Sequence, residues 1–149
     1  MALGDDVRAL SSLSAFRDLD PEAVRLIAFS AETRILRAGQ VLFRLGEPAE
    51  AGYVLLSGQL FLVGGSRDRP VLVRAPALLG ENALVADVSR AATATVVEPA
   101  SVLKVSRALY RRILTEYPEA AARIRDAAAT RLFDMRAELE ELRQTLIAV

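Results

Sequence analysis

Between Thr33 and Val105 the chain is cut into short apolar runs, each closed by turn residues. Arg34-Ile35-Leu36 is followed by Ala38-Gly39. Val41-Leu42-Phe43-Arg44 is followed by Gly46-Glu47-Pro48. Tyr53-Val54-Leu55-Leu56 and Leu60-Phe61-Leu62-Val63 flank Ser57-Gly58, a hairpin signal. Arg67-Asp68-Arg69-Pro70 is a polar turn before Val71-Leu72-Val73. Thr93-Ala94-Thr95-Val96-Val97 and Val102-Leu103-Lys104-Val105 are separated by Glu98-Pro99. Runs this short cannot build helices of useful length, and their spacing predicts a sandwich or barrel of many short strands. Between Pro76 and Ser89 the β pattern lapses.

Helical signals bracket this block. Ser11 to Phe16 reads as a short helix and turn. Asp20 precedes Pro21, so it suits the N-cap of a helix carrying Val24, Leu26, Ile27 and Phe29. Ser106 is placed to cap a helix over Arg107 to Thr115. Pro118 opens a long helix, with Glu119 in its first turn complementing the dipole. Leu132, Met135, Leu139, Leu142 and Leu146 recur with alternating three-four spacing, a coiled-coil seam of about two heptads. The seam reads equally as a dimer interface or as a face packed on the β block. The run from Arg136 to Arg143 reads as a solvated face with i,i+4 charge pairs.

Composition narrows the chemistry. The 149 residues suit one domain, 52% of them apolar. Nineteen bases balance nineteen acids, which gives no electrostatic footprint for nucleic acid or an anionic membrane. There is no cysteine, which excludes disulfides and thiolate metal sites, and no histidine, the commonest general base and metal ligand. Met1 to Asp6 carries acids where a signal peptide carries bases, and no run approaches the ~18 apolar residues of a membrane span. The expectation is a soluble cytoplasmic protein, or a cytoplasmic piece of something larger.

The gap in the β pattern holds the most specific string. Leu79-Gly80-Glu81-Asn82-Ala83-Leu84 leads to Ser89-Arg90-Ala91-Ala92-Thr93. A guanidinium gives a phosphate two parallel charge-assisted bonds, a carboxylate accepts from a sugar hydroxyl, and small residues let backbone amides approach an anion. The string resembles the phosphate-binding cassette of cyclic-nucleotide-binding domains, where Gly-Glu-x-Ala-Leu leads to Arg-Ala-Ala-Thr at this spacing. Gly39, Leu42-Phe43, Gly46-Glu47, Tyr53 and Ser57-Gly58 look like the first half of that family's domain, so the resemblance covers nearly the whole chain.

The resemblance implies an α+β fold: an antiparallel β-roll or jelly roll, cupin-like, with N-terminal helices and a long C-terminal lid helix. Boundaries fall at about 4–30 for the first helices, 33–105 for the roll and 106–147 for the closing helices. It implies Arg90 on the phosphate and Glu81 on the ribose 2′-hydroxyl. Gly80 and Ala83 would hold the ribose-phosphate through backbone groups, and Ala91 and Ala92 match the small residues after the arginine. Thr130, Arg131, Leu132, Met135 and Arg136 are candidate lid contacts to the base. Members that favour cyclic GMP often carry threonine at the position of Ala91, so alanine leans toward cyclic AMP. Leu79, Asn82 and Ser89 depart from the usual aromatic, apolar residue and proline. The implied protein is a sensor without a catalytic residue, metal or cofactor, binding a cyclic nucleotide and dimerising in some members through its last helix. No helix-turn-helix and no nucleic acid or membrane partner is expected of this stretch by itself. The alternatives are a metal-dependent enzyme on a cupin-type roll, disfavoured by the missing histidines, a degenerate oligomerisation domain, disfavoured by the Glu81/Arg90 pair, and the sensor part of a transcription regulator or channel with its output domain absent.

Overall fold

A computed structural model describes residues 3–65 and 69–148, and side chains except at 127, 128, 131 and 142–148. Three helices come first: α1 (Leu3–Ser11), α2 (Ser14–Arg17) and α3 (Pro21–Ser30). Eight strands follow: β1 (Glu32–Leu36), β2 (Val41–Phe43), β3 (Pro48–Ala49), β4 (Ala51–Val63), β5 (Val71–Arg74), β6 (Ala77–Leu79), β7 (Val88–Ser89) and β8 (Thr93–Ser106). A single 3-10 turn, Glu81–Leu84, lies between β6 and β7. Helices α4 (Arg107–Glu116) and α5 (Pro118–Ala148) close the chain. All strand pairing is antiparallel, in the order β1-β8-β4-β5, with β2 added on β8, β6 on β4, and a separate β3-β7 pair. This is the α+β roll that the sequence implies, not a closed barrel.

Two strands are much longer than the turn signals predict. β4 runs through Ser57-Gly58, and β8 runs through Glu98-Pro99, so neither dipeptide reverses the chain. Ser57 pairs with Ser101 and Gln59 with Glu98, leaving Gly58 alone against Pro99 and Ala100. That two-against-one arrangement is a β-bulge, which bends the strand and accommodates a proline. Gly58 has φ +89°, and a Cβ there would sit 2.5 Å from the Pro99 carbonyl oxygen and 2.7 Å from Ala100 Cα. The hairpin expected at Ser57-Gly58 is therefore a bulge within one strand, and the glycine is needed for the backbone it adopts there.

Over 51–55 of β4 and 100–103 of β8 the strands are buried on both faces, which explains the unbroken apolar runs there. Val54 and Leu103 point into a helical core with Phe16, Ile27, Tyr110 and Ile113. Tyr53, Leu55 and Val102 point into the roll with Phe43, Leu60 and Leu79. Ser106 caps α4 as predicted, its hydroxyl accepting from the Leu109 amide at 3.0 Å. Asp20 holds the N-cap position of α3 without a side-chain cap bond. Its carboxylate instead accepts from Arg123 Nη2 at 3.1 Å, while Arg123 Nε donates to the Asp18 carbonyl at 2.9 Å. Only the first turns of α5 are packed this way. Leu132, Met135 and Leu139 are 56–65% exposed, so the seam is not packed on the roll along these residues. Leu142 and Leu146 of that seam, like Arg67 and Asp68 of the polar turn, lie outside the described residues or side chains.

Gly58→Ala should destabilise the fold by at least about 1–3 kcal/mol, from forced positive φ and overlap with the β8 backbone. Thermal unfolding should show a Tm drop of about 3 °C or more; an unchanged Tm would mean the bulge relaxes freely.

Candidate functional site

The cassette is a detour between two strands that the core holds fixed. β6 ends on the buried Leu79. Gly80 then takes a left-handed conformation, φ 74° and ψ 41°, and turns the chain into the 3-10 segment. Ala83 N–H donates back to the Gly80 carbonyl at 3.1 Å, and the Val85 and Ala86 amides donate to the Asn82 carbonyl. Buried Ala83 and Leu84 pin the turn to the body of the domain. The chain returns through β7, where the Arg90 amide donates to the Glu47 carbonyl at 2.8 Å and the Gly46 amide to the Arg90 carbonyl at 2.9 Å.

Arg90 is 7% exposed, unusual for a guanidinium without a carboxylate partner. Its Nη2 donates to the Ala51 carbonyl at 2.8 Å. The guanidinium lies over the Phe43 ring, 4.4 Å from the centroid, and 5.4 Å from that of Tyr53. Burial pulls its pKa below the usual arginine value, opposed by the nearby Tyr53 and Glu47. Nη1 is buried and has no hydrogen-bond partner. It lies against Gly80, where any Cβ would overlap it. A buried charged donor left unpaired is costly, and such a group marks a place where an acceptor belongs.

Gly80, Glu81, Ala83, Arg90, Ala91 and Ala92 all line one cavity of about 340 Å³, floored by Phe43 and Ala49. The structure therefore brings together every cassette residue that the sequence singled out. The size is in the range of small-molecule sites. Glu81 and Asn82 also line a second cavity, of about 470 Å³, closed by Tyr110 of α4 and by Leu132 and Met135 of α5. Two of the candidate lid residues thus face the cassette. Arg136 and Thr130 are exposed and line neither cavity, and the Arg131 side chain is not described.

Several participants carried no assigned role in the sequence reading. Phe43 and Tyr53 support the guanidinium, yet in sequence they are ordinary strand aromatics. Tyr110 packs edge-on against Phe16 and donates to the Ala15 carbonyl at 3.1 Å. Burial, and then the Glu81 carboxylate, push its phenol up to about 12. Among the described residues no group of three or more acidic, histidine or cysteine side chains converges on a metal-sized point. No described helix is long and apolar enough to cross a membrane.

A sequence model of the cyclic nucleotide-binding domain matches residues 33–117, the stretch from β1 through α4. A solved structure of a cyclic nucleotide-binding-like protein from Brucella abortus is 38% identical, with TM-score 0.65, and the alignment covers 74% of this chain and 98% of that one. The cyclic AMP receptor protein of Thermus thermophilus is 29% identical over 131 residues, 85% of this chain and 61% of that protein. The lysophospholipase NTE1 of Chaetomium globosum is 29% identical over 127 residues, 83% of this chain but 8% of that enzyme. The chain belongs to the cyclic nucleotide-binding domain family, and it spans only part of the length of these two curated relatives.

Arg90→Met should leave unfolding of the nucleotide-free protein within about 1 kcal/mol of wild type. The lost bond to Ala51 and the lost ring contacts are offset by removing a buried, unpaired donor. Denaturant unfolding measures this, and a loss of several kcal/mol would make Arg90 a structural residue instead.

Proposed function

We propose that the chain is a non-enzymatic sensor that binds a cyclic mononucleotide, cyclic AMP in preference to cyclic GMP, and converts binding into repositioning of α4 and α5. The observation that carries this reading is the buried Arg90 guanidinium with its unpartnered Nη1 in a cavity lined by Glu81 and small residues. The phosphate completes the hydrogen bonding of Arg90. Glu81 accepts from the ribose 2′-hydroxyl, with Gly80 beside it, while the Ala83 amide and carbonyl, already engaged by Gly80 and Arg107, shape the turn rather than bond the ligand. Ala91 presents no hydroxyl to a guanine amino group. The name of the Thermus relative supports the choice of cyclic AMP.

Helix α5 suits a moving lid. Beyond Ala120 and Ile124, which pack on the helical core, its polar tether to the N-terminal helices is a half-exposed Arg123–Asp20 pair and one bond to a carbonyl, and exposed pairs of this kind contribute ~0–1 kcal/mol. Leu132 and Met135 close the second cavity while remaining mostly solvent-accessible, so a helix moved toward the cavity would bury them further. A ligand that contacts them in one position alone shifts the population toward it. Leu139 and Phe133, 62% and 72% exposed, extend the apolar surface, which a second copy of the chain would cover in a homodimer. The working location of such a module is the cytoplasm, with no nucleic acid or membrane contact of its own.

Arg90→Met should lower cyclic AMP affinity by about 10- to 150-fold, the equivalent of about 1.5–3 kcal/mol for a bond to a charged group. Ala91→Thr should shift the cyclic GMP to cyclic AMP affinity ratio about 2- to 12-fold toward cyclic GMP, one neutral hydrogen bond. Equilibrium dialysis with both nucleotides reads both effects. Wild-type affinity in Arg90→Met would remove the cassette assignment, and an unchanged ratio in Ala91→Thr would place base selection elsewhere.

A further inference from the structure

Arg107 is the first residue of α4, directly after its cap Ser106, and only 16% of its side chain is exposed. It lines neither cavity. Its Nε donates to the Ala83 carbonyl at 2.8 Å and its Nη2 to the Ala49 carbonyl at 2.5 Å. Its own amide donates to the Glu50 carbonyl at 2.8 Å. Asp87 lies 3.8 Å away but is 90% exposed, so the carbonyl bonds dominate, being charge-assisted and sheltered.

The acceptors matter more than their number. Ala83 sits in the cassette turn and Ala49 in β3, and both line the Arg90 cavity. The same short segment is held from the other side by Arg90, whose amide takes the Glu47 carbonyl and whose Nη2 takes the Ala51 carbonyl. Residues 47, 49, 50 and 51 therefore present their carbonyls to two arginines, one in the cavity and one at the root of a helix. A guanidinium that turns toward an anion must release or drag Ala51. A cassette turn that tightens around a ligand carries the Ala83 carbonyl with it. Both displacements reach the Arg107 fork, and Arg107 is the first turn of α4.

We infer that Arg107 is a positioning residue that couples occupancy of the Arg90 cavity to the orientation of α4, and through α4 to α5. It touches no ligand and holds the cassette turn and β3 to the helix as one mechanical unit. This inference rests on the cyclic nucleotide reading above. The charge of Arg107 is directed at backbone acceptors, so neither shape nor hydrophobicity alone replaces it.

The test compares ligand affinity with helix movement. The chain has no native cysteine, so spin labels on Glu98→Cys in β8 and Glu138→Cys in α5 report one distance without background. In the otherwise wild-type protein, saturating cyclic AMP should shift that distance. In Arg107→Met, cyclic AMP should still bind with one-to-one stoichiometry, and the shift should be lost. Arg107→Lys keeps the charge but gathers its donors on one nitrogen, and should show a reduced shift. In wild-type protein, hydrogen exchange at 81–86 and at 107–116 should respond to the nucleotide together, which needs no variant to fold. A full shift in Arg107→Met or Arg107→Lys, or a wild-type exchange response confined to 81–86, overturns the coupling role. A lower Tm with the shift intact makes Arg107 merely structural. Absence of any cyclic nucleotide binding by the wild type overturns the functional reading itself.

Discussion

The antiparallel pairing of β4 with β8 is the interaction on which the rest of the molecule depends. These two strands feed both hydrophobic cores from opposite faces, and every strand of the larger sheet is hydrogen-bonded to one of them. One end of their ladder is the pair Ala51–Ser106. Ala51 supplies the carbonyl that holds Arg90, and Ser106 caps the helix that begins with Arg107. The position of the Arg90 cavity and the root of the C-terminal helices are thus set by the same rung. The bulge at Gly58 bends the ladder, which lets two strands curl into a roll without closing a barrel.

On this scaffold the chemistry is electrostatic and economical. The chain is neutral overall and buries one guanidinium in a small-residue cavity, with aromatic faces and a single carbonyl as partial compensation. The low-dielectric setting that makes an unpaired donor costly also makes an anion placed there count for more than at the surface. Gly80 is required by the same geometry. A larger residue would need both a left-handed backbone and the space that Nη1 occupies. By contrast, the side chains of the long α5 are exposed along most of their described length.

Much of this was legible in the sequence, for identifiable reasons. The helix starts at Pro21, Arg107 and Pro118 and the strands β1, β2 and β5 follow from local chemistry, and the cassette residues that converge on one cavity lie in one contiguous stretch. The short β3, β6 and β7, two of them in the stretch where the β pattern lapses, are set by their partners instead. What was not legible is non-local. Ser57-Gly58 has hairpin chemistry, and only the partner strand, with Pro99 and Ala100 opposite, turns it into a bulge. Asp20 has cap chemistry, and Arg123 from a helix a hundred residues away takes its carboxylate. Arg107 has no motif because its acceptors are backbone carbonyls, which every sequence supplies and none marks. Phe43 and Tyr53 gain a role only once Arg90 lies over them.

The most direct test of the central claim is a calorimetric titration of cyclic AMP, then cyclic GMP, into the wild-type protein. The account predicts saturable heat at one nucleotide per chain, with cyclic AMP the tighter of the two. No saturable heat with either nucleotide would contradict it.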